Sequence, residues 1–172
     1  EVEMPTIKRV LQVASDAGTP VIFNYAPARA FEPELLDRVH TLVVNENEAS
    51  RLAGARVDST DAARGVAERL IGMGPHVAII TLGAAGSVVA TREANGVDVR
   101  LVEAYPVEAV DTTAAGDTYC GCLAVALAEG KSLDDAVRFA GAGAALSVQK
   151  MGAQPSTPYR AQIDGFLKER DR

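Results

Sequence analysis

Apolar and polar stretches alternate along the chain in a way that predicts strands and helices in turn. Residues 77–81 (VAIIT) are almost continuously apolar, which is typical of a strand covered on both faces. Residues 97–102 alternate instead, as in a strand with one face in water. The other predicted strands are residues 20–23, 42–44 and 87–90.

Helices are predicted where apolar residues recur every three or four positions. The clearest case opens at Ser59 or Thr60 and runs to Met73. Further helices are predicted at residues 6–16, 35–39 (a weak one), 115–129, 133–148 and from Pro158 to about 168. The small residues at 141–145 indicate close packing of a neighbouring backbone against the helix at 133–148. This alternation of elements, without an internal repeat or a linker, predicts an α/β layered sheet.

Charge and length exclude some classes of function. The 172 residues carry 17 basic and 23 acidic side chains, a net charge of −6, which argues against a nucleic-acid or anionic-membrane partner. No apolar run approaches the roughly 20 residues that span a bilayer. The chain opens on Glu1 rather than Met and shows no signal-peptide pattern, so its first residue need not be the start of the gene product.

The two cysteines, Cys120 and Cys122, fall within one predicted helix. Positions two apart point to different faces, so we expect no bridge between them. We expect both to be small buried residues in a reducing cytoplasm, with no zinc bound. His40 and His76 have no partner in the sequence and receive no role.

The most informative stretch for chemistry is residues 110–118 (VDTTAAGDT), which leads into the predicted helix at Ala115. The first N–H groups of a helix lack intrahelical partners and lie at its positive end, so they form a phosphate cradle in principle. Gly116 lets a ligand approach the backbone, and the Asp117 carboxylate could accept a proton from a substrate hydroxyl. The alternative is that Asp117 or Thr113 only caps the helix.

Three further segments have weaker signals. Residues 81–86 (TLGAAG) fit a loop over a nucleotide or a tight turn between strands. Residues 45–48 (NENE) follow a strand end, where Asn45 could contact phosphate and Glu48 a hydrated Mg²⁺, or they only begin a solvated helix. Residues 150–156 (KMGAQPS) could offer carbonyl oxygens to a cation, together with Asp111, or could simply end a helix at Gly152. The Walker, protein-kinase and G-x-S-x-G signatures are absent.

Taken together, residues 45–48, 81–86, 111–117 and 150–156 resemble, in order and position, the motifs of the ribokinase (PfkB) family of carbohydrate kinases. Residues 24–28 (NYAPA) are similar to the N-P-A-P-A of that family. The resemblance covers nearly the whole chain but only the C-terminal part of a complete family member. It implies a ribokinase-like three-layer α/β/α sandwich with a mostly parallel central sheet. Residues 1–172 would then be its nucleotide-binding and catalytic part, without the N-terminal sugar-binding and lid part.

The activity implied by the resemblance is ATP-dependent transfer of the γ-phosphate to the 5-hydroxyl of D-ribose. Asp117 would be the base that takes the proton of the sugar's hydroxyl, and the N–H groups of Ala115, Gly116 and Asp117 would form the anion hole. Ala114 is implied as a further catalytic residue at the same turn. Another sugar or nucleoside is the nearest alternative acceptor. A non-catalytic nucleotide-binding module on the same fold is the alternative from another class.

The resemblance also assigns binding residues. Glu48 would act on Mg²⁺ through water. The implied nucleotide-binding residues are Asn45, Thr81, Leu82, Gly83, Ala84, Ala85, Gly86, Gly116, Asp117 and Gly141. The implied ligands of an activating K⁺ are Asp111, Thr113, Ser147, Lys150 (through its carbonyl), Gly152 and Ser156.

Two departures from the family pattern qualify this assignment. Gly141 stands where the family often has a side chain near the adenine, so the base contact is open. The family's N-terminal part, which supplies most sugar contacts and a homodimer interface through the lid, is not in these 172 residues. We therefore expect the chain by itself not to be a competent sugar kinase.

Overall fold

The computed structural model describes residues 2–170. These residues form two compact units, and the boundary between the units lies between Leu101 and Val102. The first unit contains a five-stranded sheet in the order β1-β2-β3-β4-β5. Its strands are β1 (Ile22–Asn24), β2 (Thr41–Asn45), β3 (Val77–Thr81), β4 (Ser87–Glu93) and β5 (Gly96–Val102). The β1–β2 and β2–β3 pairs are parallel and β3–β4 is antiparallel, so the sheet is mixed.

Three helices accompany the sheet in the first unit: α1 (Met4–Asp16), α2 (Glu46–Ala53) and α3 (Thr60–Gly72). Ser59 caps α3 by accepting a hydrogen bond from the Ala62 N–H, which confirms the predicted start. The residues of β3 from Val77 to Ile80 are all buried, as the continuous apolar run predicts. Ala78 and Ile80 of β3 join one core with Leu11 of α1 and Leu70 of α3.

The second unit consists of helices α4 (Ala115–Ala128), α5 (Leu133–Ser147) and α6 (Arg160–Arg170). Ser132 caps α5, as its position in the sequence suggests, by accepting from the Asp135 N–H. Leu123 and Ala126 of α4 and Val137 and Ala140 of α5 are buried. The two cysteines of α4 form no disulfide with each other, as expected, but both are half-buried rather than buried.

Several predicted elements differ from the observed ones. The weak helix expected at residues 35–39 is a 3₁₀ segment, Pro33–Arg38, and the first strand lies two residues later than predicted. Helix α2 occupies the polar cluster after β2, where no complete helix was predicted. At Gly143, one of the small residues of α5, an added Cβ would meet Cys122 Sγ, so α4 packs closely against α5 at this point. No helix within residues 2–170 has both the length and the apolarity needed to cross a membrane.

Candidate active site

Asn45 and Glu48 lie where β2 passes into α2, and together they form a reciprocal capping box. The Glu48 N–H donates to Asn45 Oδ1 and the Asn45 N–H donates to Glu48 Oε2, both at 2.9 Å. This arrangement satisfies two N–H groups at the helix start. It uses one oxygen of each side chain, and it leaves the Asn45 amide nitrogen and Glu48 Oε1 for a ligand. The helix-start interpretation is therefore confirmed, and it is compatible with a contact to phosphate or hydrated Mg²⁺.

The ends of β2 and β3 bring two predicted nucleotide residues together. Asn45 and Thr81 are directly opposite partners in the parallel register. The Thr81 hydroxyl also donates to the Val44 carbonyl oxygen at 3.3 Å, which ties the two strand ends to each other. Ligand sites of α/β sheets lie outside the carboxyl ends of parallel strands, and this is such an end.

Residues 82–86 form a compact turn between the antiparallel strands β3 and β4. The Leu82 N–H donates to the Gly86 carbonyl at 2.8 Å, and the Ala85 N–H donates to the Leu82 carbonyl at 3.0 Å. Gly83 has φ = +54°, in the left-handed region where a side chain is strained. The tight-turn interpretation is thus confirmed, and the exposed residues Gly83, Ala84 and Ala85 form a side-chain-poor surface.

The loop that leads into α4 is the most unusual backbone of the described chain. Ala114 has φ = +58°, and it is the one non-glycine residue with positive φ among residues 2–170. Such a conformation costs about 1–3 kcal/mol and is typical of functional sites. No side chain caps α4, so the interpretation of Asp117 or Thr113 as a mere cap is wrong.

At the start of α4, one backbone N–H group is hydrogen-bonded within residues 2–170 and two others are not. The Ala115 N–H donates to the Thr112 carbonyl at 3.2 Å. The N–H groups of Gly116 and Asp117 have no acceptor among the described residues. A Cβ on Gly116 would meet nothing within 4 Å, so the backbone there is open to a ligand. The geometry favours an anion held by Gly116 and Asp117, with Ala114 and Ala115 shaping the turn.

Asp111 fixes this loop to the segment that follows α5. Its Oδ1 accepts from the Thr113 N–H at 2.9 Å, and its Oδ2 accepts from the Gly152 N–H at 2.8 Å. Hydrogen bonds from the Thr113 hydroxyl and from these two N–H groups hold the pKa of Asp111 below its ordinary value. The N–H groups of Val110 and Asp111 also donate to the Val148 carbonyl, at 2.7 and 3.0 Å.

The other predicted cation ligands lie along the same segment. The Lys150 N–H donates to the Ser147 carbonyl at 3.1 Å, and Gly152 adopts φ = +88°. Ser147 and Ser156 are fully buried, and their hydroxyls donate to the carbonyls of Ala144 and Ala153, at 2.8 and 2.7 Å. Asp111, Thr113 and Gly152 are therefore in direct contact, whereas the hydroxyls of Ser147 and Ser156 are turned to carbonyls of their own segment.

A groove of about 570 Å³ opens beside Asp117. Its walls include Cys122 and Val125 of α4, Phe139 of α5 and Arg160 of α6. The Arg160 guanidinium lies 4.9 Å from the centre of the Phe139 ring and forms ion pairs with Glu129 and Asp164 at 2.6 and 3.0 Å. Sequence reasoning missed Arg160 because two of its partners, Glu129 directly after α4 and Phe139 of α5, are distant from it in the sequence.

Gly141, the other open position in the sequence, faces an aromatic ring. A Cβ at Gly141 would lie 3.8 Å from Cε2 of Tyr105. The Tyr105 ring meets Phe166 edge-on, with 5.2 Å between ring centres. An aromatic side chain thus lies beside Gly141.

Comparison with known proteins places these features in a family. A model described as "pfkB family carbohydrate kinase" matches residues 1–160. The ribokinase of Haemophilus influenzae is 38% identical over 168 residues, which are 98% of this chain and 54% of that protein. The ribokinase of Staphylococcus aureus is 36% identical over 165 residues, covering 95% and 53%. The chain therefore spans about half the length of these curated relatives.

Solved structures agree with this assignment. The Arabidopsis thaliana ribokinase complexed with ribose and ATP superposes with a TM-score of 0.87 at 34% identity, covering 95% of this chain and 52% of that one. The Thermotoga maritima ribokinase gives 0.82 at 35% identity, covering 92% and 52%. The predicted ribokinase-like α/β fold with a mostly parallel sheet is confirmed.

Proposed function

Because this chain belongs to the pfkB family of carbohydrate kinases, we propose that it is the nucleotide-binding and catalytic part of an ATP-dependent ribokinase. The observation that carries the proposal is the start of α4. There a strained Ala114, two open N–H groups and an exposed carboxylate on Asp117 occur together without any capping side chain. Side-chain caps are favoured at helix starts, and α2, α3 and α5 each have one, whereas α4 leaves two N–H groups open beside a carboxylate.

In the proposed reaction, Asp117 accepts the proton of the sugar's 5-hydroxyl. That oxygen forms a bond to the γ-phosphorus as the bond from phosphorus to the β,γ-bridging oxygen breaks, and ADP leaves. The N–H groups of Gly116 and Asp117 stabilise the charge on the transferring phosphoryl oxygens, which is the main catalytic term in such transfers. The products are D-ribose 5-phosphate and ADP, with the proton on Asp117.

The nucleotide would lie along the exposed turn at residues 83–85, with Asn45 and Thr81 at the adjoining strand ends. The support for this is their opposition in the parallel register and the lack of bulky side chains on the turn. Gly141 with Tyr105 is a further candidate for contact with the base. Two cysteine thiols that are not joined in a disulfide fit a reducing cytoplasm as the place of action.

Two cations are part of the proposal. Asp111 is hydrogen-bonded to Thr113 and Gly152, and the residues proposed for the site would offer carboxylate, hydroxyl and carbonyl oxygens, which suit a hard cation such as K⁺. Its residues would be Asp111, Thr113, Ser147, Lys150, Gly152 and Ser156. Glu48 would hold Mg²⁺ through water with the oxygen that the capping box leaves open. When bound, these ions neutralise phosphate charge and order the loop.

The test is ribose-dependent ADP release by the native full-length protein, with and without K⁺. Asp117→Asn should lower the rate by about 10²–10⁴-fold while ATP still binds, because general-base catalysis is worth that much. Asp61→Asn is the matched control, since Asp61 is also an exposed acid in a first helical turn. A homodimer through the lid is proposed as the assembly and is measured on the same sample by sedimentation.

The outcomes separate the alternatives. Release with another sugar or a nucleoside, but not with ribose, would change the acceptor and keep the family. ATP binding without release for any hydroxyl acceptor would replace the kinase by a nucleotide-binding module.

A further inference from the structure

His40 and His76, the only two histidines of the chain, form a pair at the amino-terminal ends of β2 and β3. The register places Thr41 opposite Val77, so the histidines that precede them are also opposite each other. The His40 carbonyl accepts from the N–H groups of both His76 and Val77, at 3.1 and 2.9 Å. Two paired strands therefore bring together two histidines that have no partner within their own sequence segments.

The spacing of the two rings matches a shared metal ion. Their centres are 5.2 Å apart with 45° between the planes. A metal–nitrogen bond of about 2.1 Å and about 1.1 Å from nitrogen to ring centre put each centre about 3.2 Å from the ion, so a tetrahedral angle separates the centres by about 5.2 Å. The observed separation of the two ring centres equals this value.

A neighbouring hydroxyl orients one of the rings. Nδ1 of His40 lies 2.9 Å from Oγ1 of Thr41, and Thr41 is fully buried. With the proton on Nδ1 donated to this hydroxyl, the lone pair of His40 Nε2 is free for a metal. Such a hydrogen bond from the second ring nitrogen is the usual support of a metal-binding histidine. Both histidines are exposed, so an ion and its water can reach them.

The surroundings limit the number of protein ligands. Across residues 2–170 no group of three or more His, Cys, Asp and Glu side chains is placed to hold a metal, so water completes the coordination. The neighbouring cation, Arg92, donates to the carbonyls of Gly74 and Pro75 at 3.4 and 3.3 Å. These hydrogen bonds hold the Arg92 guanidinium at the loop that precedes β3.

From this geometry we propose that His40 and His76 bind a late first-row divalent transition metal such as Zn²⁺. Imidazole nitrogen is a preferred ligand of these ions and a poor one for Mg²⁺. The site lies about 16 Å from Asn45 along β2, given about 3.3 Å of rise per residue, so it is separate from the strand ends assigned to the nucleotide. Bound metal would join β2 to β3 and stabilise the first unit.

The experiment is calorimetric titration of the purified chain with Zn²⁺, alongside His40→Gln, His76→Gln and Cys120→Ser/Cys122→Ser. Each histidine substitution should weaken Zn²⁺ binding by at least about tenfold, because the chelate loses one of its two preorganised ligands. The cysteine variant should bind as the unaltered chain does. In the unaltered chain, one equivalent of Zn²⁺ should shift the NMR signals of both imidazoles, a readout that needs no substitution.

Any of four results overturns the proposal. These are no Zn²⁺ binding up to millimolar concentration, a loss below tenfold in either histidine variant, loss of binding in the cysteine variant, or a shift of only one imidazole. These measurements do not use kinase activity. A negative result would therefore refute the metal site without affecting the proposed function, and the reverse also holds.

Discussion

The packing of α4 against α5 makes a sharp prediction at Gly143. An added Cβ there would lie 2.5 Å from Cys122 Sγ, 3.4 Å from Cys122 Cβ and 3.5 Å from Cδ1 of Ile163. The first distance is well inside van der Waals contact, and overpacking of this kind costs about 1–3 kcal/mol. Alanine in place of glycine inside a helix gains about 1 kcal/mol. We therefore expect Gly143→Ala to be neutral or to destabilise by up to about 2 kcal/mol.

Gly141→Ala is the matched control, two residues away on the same helix. The nearest atom to its added Cβ is Tyr105 Cε2 at 3.8 Å, an ordinary contact. Gly141→Ala should gain the full helix-propensity term of about 1 kcal/mol. The difference between the two variants, about 1–3 kcal/mol, isolates the steric cost at Gly143.

A double-mutant cycle identifies the atom responsible. In a Cys122→Ala background the sulfur is gone and the closest atom is 3.4 Å away, so Gly143→Ala should become neutral or stabilising. The coupling energy between the two substitutions should be about 1–3 kcal/mol. Urea unfolding followed by circular dichroism gives all four free energies. Equal stability of the Gly141→Ala and Gly143→Ala variants, with no coupling to Cys122, would refute the close approach of these helices.

Three further predictions follow from local hydrogen bonds and burial. Glu48→Ala should lower the free energy of unfolding by about 1 kcal/mol in urea, while Glu48→Gln, which preserves the capping box, should not; equal losses would contradict the capping role. Hydrogen bonds from the Thr113 hydroxyl and the N–H groups of Gly152 and Thr113 lower the pKa of Asp111, so its stabilising contribution is present above the ordinary aspartate pKa and is lost as pH falls through the lowered one. NMR titration of the carboxyl measures this, and an Asp111 pKa at its ordinary value would refute it. Burial raises the pKa of the Cys122 thiol, so iodoacetamide should alkylate it at least about tenfold more slowly than free cysteine at pH 8, and as fast in urea, by mass spectrometry.

The strands and long helices could be predicted because their patterns are local. The run at residues 77–80 is apolar at every position, and the structure buries every one of them. A helix start at residues 45–48 was one of two interpretations of the polar cluster, and Asn45 and Glu48 have the spacing of a capping box. The continuation of α2 to Ala53 was not predicted. The 3₁₀ segment at Pro33–Arg38 has too few residues for a clear helical period.

The motifs of the site could be predicted from the sequence, but the long-range contacts that join them could not. The spacing of Gly116 and Asp117 before an apolar helix indicates an anion cradle from sequence alone. The hydrogen bond between Asp111 and the Gly152 N–H joins residues 41 positions apart, and no local pattern encodes it. The pairing of His40 with His76 likewise depends on strand register, which a single sequence does not specify.

The contrast between the two units has a consequence for the order of folding. The first unit depends on parallel pairing of β2 with β3, which must close a long crossover through α2 and α3 before these two strands can contact each other. The second unit contains α4 and α5 as neighbours in sequence, separated only by residues 129–132. Because loop closure slows non-local pairing, we expect the helical hairpin to form within the fast phase of refolding and the sheet to follow. The helix that carries Asp117 would then form before β2 and β3, which carry Asn45 and Thr81, have paired in their native register.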